Sequence, residues 1–260
     1  MLNVPTLAEM SAQGKNPDVL FWVGCAGSFD DRAKKITKAF VKILLETKTS
    51  FAVLGSEESC TGDPAKRAGN EFLFQMQAVQ NVETLNMYEV KEIVTTCPHC
   101  FNTLKNEYPE LGGNYKVMHH TQFLRDLVAS GKLRIDGGTL KGKRITYHDP
   151  CYLGRANNVY DAPRELIQKL DAELVEMKQC RTKGLCCGAG GAQMFKEPEK
   201  GNKDINIKRT EQAMETKPDI VAAACPFCNT MMRDGVKHNN LESKIEVKDI
   251  AELIVIAQDL

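Results

Sequence analysis

Short, uniformly apolar runs alternate with segments of helical periodicity from one end of the chain to the other. Val19-Leu20-Phe21-Trp22-Val23-Gly24 is too short and too evenly apolar for an amphipathic helix and predicts a buried strand; Ile36, Phe40, Val41, Ile43 and Leu44 follow at helical spacing. Phe51 to Gly55 predicts a second strand, Glu71 to Leu85 a helix, and Ile93 to Thr96 a third strand. The second half repeats the series, with strands at Arg144 to Tyr147, Leu174-Val175 and Ile220 to Ala224 and a helix over Ile205 to Met214. Each series closes on an apolar stretch: Tyr115 to Met118 with a helix through Phe123 and Leu127, then Ile245 through Ile256. Strands alternating with helices imply an α/β chain of two halves, each built on a parallel sheet. Gly131 to Gly142 is rich in glycine and charge, which places the boundary there and the domains at 1–137 and 138–260.

Composition narrows the picture. A chain of 260 residues buries a core without disulfide staples. Met1 to Pro5 lacks a basic segment leading into an apolar run, and no stretch approaches ~20 apolar residues, so a cytoplasmic protein without a membrane span is expected. Basic and acidic side chains number 34 each, with no basic block interleaved with aromatics, which argues against a nucleic-acid partner. The charged runs at Lys34-Lys35 and Lys196 to Lys203 read as solvent-facing.

The chemistry lies in ten cysteines, nine of which form two copies of one pattern. The first copy is Cys25, Cys60 and Cys97-Pro98-His99-Cys100; the second is Cys151, Cys186-Cys187-Gly188 and Cys225-Pro226-Phe227-Cys228. Their offsets are 126 (Cys25 to Cys151), 127 (Cys60 to Cys187) and 128 (both members of Cys-x-x-Cys). In a reducing compartment such spacing points to metal or redox chemistry rather than disulfides. Cys25, Cys97, Cys151 and Cys225 each follow a predicted strand, and ligands of open α/β sheets sit at such strand ends. The five sulfurs of copy two are one too many for a mononuclear tetrahedral zinc and favour an iron-sulfur cluster. Copy one, with Ser59-Cys60 set against Cys186-Cys187, offers four, which suit zinc or a cluster.

Other readings stay in view. A zinc-bound structural or scaffolding protein would use four sulfurs per site. A metal-free thiol-disulfide oxidoreductase would use the CPHC and CPFC pairs. Cys180 has no counterpart in copy one and reads as core filler or an incidental thiol. Gly188-Ala189-Gly190-Gly191 fails as a dinucleotide loop because Gln193 stands where the third glycine belongs, and it reads instead as backbone that approaches a cluster closely. His119-His120, at the start of a predicted helix, read as solvated or capping; His148 directly precedes the Asp149-Pro150-Cys151 segment and is a candidate second-layer or proton-donating group.

His148-Asp149-Pro150-Cys151-Tyr152-Leu153-Gly154-Arg155, Leu185-Cys186-Cys187-Gly188-Ala189-Gly190-Gly191 and Ala224-Cys225-Pro226-Phe227-Cys228 together resemble the cysteine-rich CCG domain. That domain occurs duplicated in heterodisulfide reductase catalytic subunits, in iron-sulfur subunits of glycolate and glycerol-3-phosphate dehydrogenases and in lactate utilisation protein A. Ser59 to Ala65 with Gly69-Asn70-Glu71 further resembles a branch fused to membrane segments and ferredoxin modules. The resemblance implies two pseudosymmetric Rossmann-like halves. It implies a 4Fe-4S cluster of non-cubane type on Cys151, Cys186, Cys187, Cys225 and Cys228, and a second 4Fe-4S cluster or zinc on Cys25, Cys60, Cys97 and Cys100. Ser59 is expected to mark the first site as divergent. An electron-transferring oxidoreductase subunit follows, passing electrons between a flavoprotein or ferredoxin-like partner and a disulfide or quinone-linked acceptor. A membrane-associated iron-sulfur subunit is the other partner the resemblance implies, and it would hold the protein at the inner membrane from the cytoplasmic side.

Overall fold

The computed structural model describes residues 3–197 and 200–260. The first half runs α1 (Leu7–Ala12), β1 (Val19–Trp22), α2 (Gly24–Phe29), α3 (Ala33–Glu46), β2 (Phe51–Ala52), α4 (Asp63–Arg67), α5 (Glu71–Met87), β3 (Glu92–Thr95), α6 (Pro98–Asn102), β4 (Lys116–His119) and α7 (His120–Ala129). The second runs β5 (Arg144–His148), α8 (Cys151–Gly154), α9 (Asp161–Lys169), β6 (Glu173–Leu174), α10 (Ile205–Glu215), β7 (Ile220–Ala223), α11 (Pro226–His238), β8 (Glu246–Asp249) and α12 (Ile250–Gln258). Each half carries a four-stranded parallel sheet, ordered β2-β1-β3-β4 and β6-β5-β7-β8. The expected duplicated α/β architecture is therefore present. The β2 strand is shorter than Phe51 to Gly55 suggested, because Val53 bridges to Thr6 and Leu54 already turns into the 3-10 turn Gly55–Glu57.

β1 and β7 are buried along their whole length, as central strands covered by helices on both faces must be. Register places the last residues of β1 and β5 alike: Trp22 lies opposite Thr95 on β3, and His148 opposite Ala223 on β7. Two residues beyond those partners stand Cys97 and Cys225, so the two halves bring their cysteines to equivalent sheet edges.

The halves share one apolar core in which Phe40, Leu44 and Phe101 join Ile145, Leu166 and Ile254. Helices cross the divide, with α3 packed on α12, α7 on α9 and α6 on α8. Burial of each such Leu, Ile or Phe contributes roughly 1.5–3 kcal/mol. The segment from Gly131 to Gly142 also packs down, burying Leu133 and Leu140, while Gln258 donates to the Asp136 carbonyl and carboxylate.

Polar links cross the same divide. Arg32 grips Glu252 through two hydrogen bonds of 2.7 and 2.5 Å and donates to the Val247 carbonyl. His119 and His120 depart from the expectation of a solvated pair, because both are wholly buried, although His119 does cap α7. Thr121 donates to His119 Nδ1, the His119 and His120 rings meet at 3.2 Å, and His120 Nε2 reaches Asp249 at 2.9 Å. A neutral tautomer on each ring satisfies the whole chain, with His119 Nε2–H donating to His120 Nδ1 and His120 Nε2–H donating to Asp249. Lys196, Glu197 and 200–203 face solvent as expected; the rest of that charged run, like Met1 and Leu2 of the N-terminal segment, lies outside the described residues. No helix among the described residues is long and apolar enough to cross a membrane.

Candidate functional site

In each half the Cys-Pro-x-Cys motif starts a helix. Cys97 and Cys225 are N-caps in extended conformation, Pro98 and Pro226 begin α6 and α11, and Cys100 and Cys228 complete the first turn. Proline costs nothing at this position, where its missing N–H has no partner to lose. Burial opposes the charged form of Cys225, but hydrogen bonds from Cys228 and His99 outweigh it and hold its pKa down to about 5, whereas hydrogen bonding to neighbouring sulfurs and burial push Cys100 and Cys228 well above the usual thiol value. Cys151 is the first residue of α8 and Cys25 the second of α2.

All four sulfurs expected at the first site come together. Cys25, Cys60, Cys97 and Cys100 line one narrow cleft with Gly24, Thr61, Asp63 and His99, and Phe227 of the second half closes it. Gly24 has φ +78, and a Cβ there would stand 3.2 Å from Cys100 Sγ, so this turn needs glycine both for its conformation and for the close approach. Glu58 lies beneath, its carboxylate accepting from the Val23 and Gly24 amides at 2.9 and 2.5 Å, and burial pushes its pKa up to about 7.

The five sulfurs of the second half also converge. Contacts run from Cys151 to Cys186, on to Cys187, then to Cys228 at 3.3 Å and finally to Cys225. The Gly188 amide donates to Cys186 Sγ at 3.2 Å. Cys180 stands apart, half-buried beside Glu176, in keeping with an incidental thiol.

The geometry corrects the expected matching of the two copies. Hydrogen bonding to Cys25 holds Cys60 down to about 7, and hydrogen bonding to Cys151 and Cys187 likewise holds Cys186 far below its usual value. Gly62 and Gly188 both adopt left-handed conformations, at φ +86 and +92, and each directs its amide to the sulfur two residues before it. Thr61 Oγ1 approaches Cys100 Sγ at 3.8 Å, as Cys187 Sγ approaches Cys228. Cys60-Thr61-Gly62 is thus the counterpart of Cys186-Cys187-Gly188, at the same offset of 126 that relates Cys25 to Cys151. Thr61, not Ser59, stands where the second half has its additional cysteine. Ser59 donates instead to Asn81 Oδ1 at 2.9 Å.

One side chain spans the two sites. His99, between Cys97 and Cys100, is held by Asp63 at 2.9 Å, touches the Cys225 sulfur, and packs on Tyr152 and Phe227 with ring centroids 4.3 and 5.2 Å away. Burial disfavours its charged form, but hydrogen bonds to Asp63 and Cys225 outweigh this and hold its pKa well above the usual histidine value. In the sequence His99 reads only as part of a dithiol motif.

Behind the second site, His148 is wholly buried, with a ring nitrogen within 4.8 Å of the Cys187 and Cys228 sulfurs. Arg209 Nε donates to His148 Nδ1 at 3.0 Å. Arg209 is itself 0% exposed, is otherwise held by the Gln179 carbonyl and Gln212, and among the described residues forms no ion pair. The same place in the first half, 128 positions earlier, holds Asn81, which donates to the Cys60 carbonyl and to Tyr108 Oη. Sequence reasoning missed Arg209, because nothing in the sequence ties it to its buried partner His148, 61 residues away.

This donor set fits an iron-sulfur group. It offers clustered soft sulfurs at helix starts, backbone N–H groups aimed at sulfur, and a buried cation for an anionic centre to neutralise. Tetrahedral zinc fits the four sulfurs of the first half and leaves one of the second half's five unused.

Comparison with known proteins agrees with this chemistry. Residues 19–105 and 145–233 each match the family model described as a cysteine-rich domain, CCG. The probable iron-sulfur-binding oxidoreductase FadF of Bacillus subtilis is 46% identical over 261 residues, covering 99% of this chain and 37% of that protein. The EtfAB:quinone oxidoreductase of Syntrophomonas wolfei is 45% identical over 247 residues, covering 93% and 34%. A component of the dihydromethanophenazine:CoB--CoM heterodisulfide reductase of Methanosarcina barkeri is 34% identical over 250 residues, covering 94% and 59%. The chain thus spans between about a third and three fifths of the length of these relatives.

Proposed function

Because the chain belongs to the cysteine-rich CCG family, we propose that its sites hold iron-sulfur clusters and that it relays electrons singly between a redox protein and a quinone-linked acceptor. The convergence of five cysteine sulfurs into one buried, continuous set in the second half is the observation that carries this reading. Cys151, Cys186, Cys187, Cys225 and Cys228 would bind a 4Fe-4S cluster there, of non-cubane type because a cubane leaves the fifth sulfur without an iron. Cys25, Cys60, Cys97 and Cys100 would bind a second 4Fe-4S cluster, with zinc as the competing occupant of that four-sulfur site. The electron donor is a flavoprotein, and a membrane-associated iron-sulfur subunit is the acceptor's entry point. Higher identity to the quinone oxidoreductase than to the heterodisulfide reductase component supports the quinone-linked direction over disulfide cleavage. Two successive one-electron transfers would oxidise a two-electron flavin donor and deliver two electrons to a quinone, which takes two protons from water.

Anaerobic purification and reconstitution, followed by iron, acid-labile sulfide and zinc analysis, test the reading. Iron and sulfide at both sites, with spectra that bleach on mixing with a reduced flavoprotein, are the expected result. Zinc alone, or free dithiols after competent reconstitution, overturns it.

A further inference from the structure

His148 Nδ1 accepts from Arg209 Nε, and an arginine N–H has no way to accept in return. In a neutral imidazole this leaves the proton on Nε2. His148 Nε2 is buried and has no hydrogen-bond partner among the described residues. We infer that His148 donates its Nε2–H to a sulfur of the second-site cluster and that Arg209 is the positioning residue that fixes this tautomer. The inference rests on the cluster reading above.

Duplication supports a donor over a ligand. Trp22 occupies the equivalent strand end, 126 positions earlier, and its Nε1–H is likewise buried without a partner among the described residues. An indole N–H donates and never ligates a metal. Both halves therefore place a ring N–H at the end of the strand that leads into their first cysteine. Such a donor stabilises the added negative charge when the cluster gains an electron, so it raises the reduction potential without a proton being transferred.

The test uses the full reconstituted chain. Iron and sulfide are assayed first, then the second-site midpoint potential by EPR-monitored titration, and nitrogen coupling by pulsed EPR with 15N-labelled histidine. His148→Phe is expected to load iron and sulfide but to accept an electron about tenfold less favourably, a shift of about 59 mV to more negative potential. His148→Gln, which offers an amide N–H near the Nε2 position, should recover most of the potential. Arg209→Met, which frees Nδ1 to carry the proton, should shift it in the same direction as His148→Phe. A weak nitrogen coupling lost in His148→Gln supports the donor role. A strong coupling typical of iron-bound imidazole, or an unmoved potential in loaded His148→Phe or Arg209→Met, overturns it. Wild-type chain that takes up no iron or sulfide refutes the cluster reading itself. If His148→Phe does not fold, the wild-type coupling and the Arg209→Met potential decide the matter.

Discussion

The two halves differ at three buried places around one shared plan. The first half has Thr61, Asn81 and Trp22 where the second has Cys187, Arg209 and His148. One difference adds a thiol to the second half and another adds a guanidinium, so in the cluster-bound form proposed above the charge of the additional thiolate would be offset by a buried positive one. A charge as deep as Arg209 is costly without an offset. The first half, with one thiol fewer, needs no such cation and uses a neutral amide to hold the Cys60 segment in place. The comparison teaches that site chemistry and supporting shell changed together, while strand register and helix starts stayed fixed.

Exchanging the distinguishing residue gives the largest effect. Cys187→Thr should weaken the second site's hold on its metal by ~10-fold or more and give it the spectrum of the first site; Thr61→Cys should move the first site's spectrum toward the second. Iron and sulfide analysis with EPR of each reduced variant checks both. A second site unchanged by Cys187→Thr would break the comparison at its centre.

How far the halves act as separate units is the next question. Arg32→Ala removes the buried pair with Glu252 that ties α3 to α12, and about 3 kcal/mol of stability should go with it. Denaturant unfolding should still show one transition, because the core is common; two resolved transitions would contradict a single cooperative unit.

The smallest expected effect concerns pH. Burial, reinforced by His120, depresses the His119 pKa far below that of the unfolded chain. The unfolded state therefore binds the proton that the folded state refuses. Stability is undiminished above about pH 6.5 and falls as pH drops below it, by at most about 1.4 kcal/mol per pH unit from this group. His119→Asn should flatten that slope in thermal melts between neutral and mildly acidic pH; an unchanged slope would place the sensitivity elsewhere.

Much of this was legible in the sequence. Apolar runs such as Phe21-Trp22 and Ile220-Val221 announced central strands, and the cysteine offsets announced the duplication. Periodicity and spacing encode those features directly. The true partner of Cys187 was missed, although Cys60-Thr61-Gly62 keeps both the glycine of Cys186-Cys187-Gly188 and the offset of 126. Gly62, turning left-handed as Gly188 does, decides between this match and Ser59-Cys60 together with the Cys60–Cys25 and Thr61–Cys100 contacts. His120 and Arg209 were hidden, since a polar residue inside a helix gives no sign of being buried until its distant partner is known. Here those partners are Asp249 and His148.

The shared core bears on whether either half could stand alone. A gene cut between the halves would yield two fragments, each baring Leu or Ile side chains that now pack against the other. The first fragment would lose Phe227, which lines its cysteine cleft, and the second would lose His99, which touches Cys225. In this chain the working unit is therefore the complete pair rather than the single repeat, because each half lends a side chain to the other's cysteines.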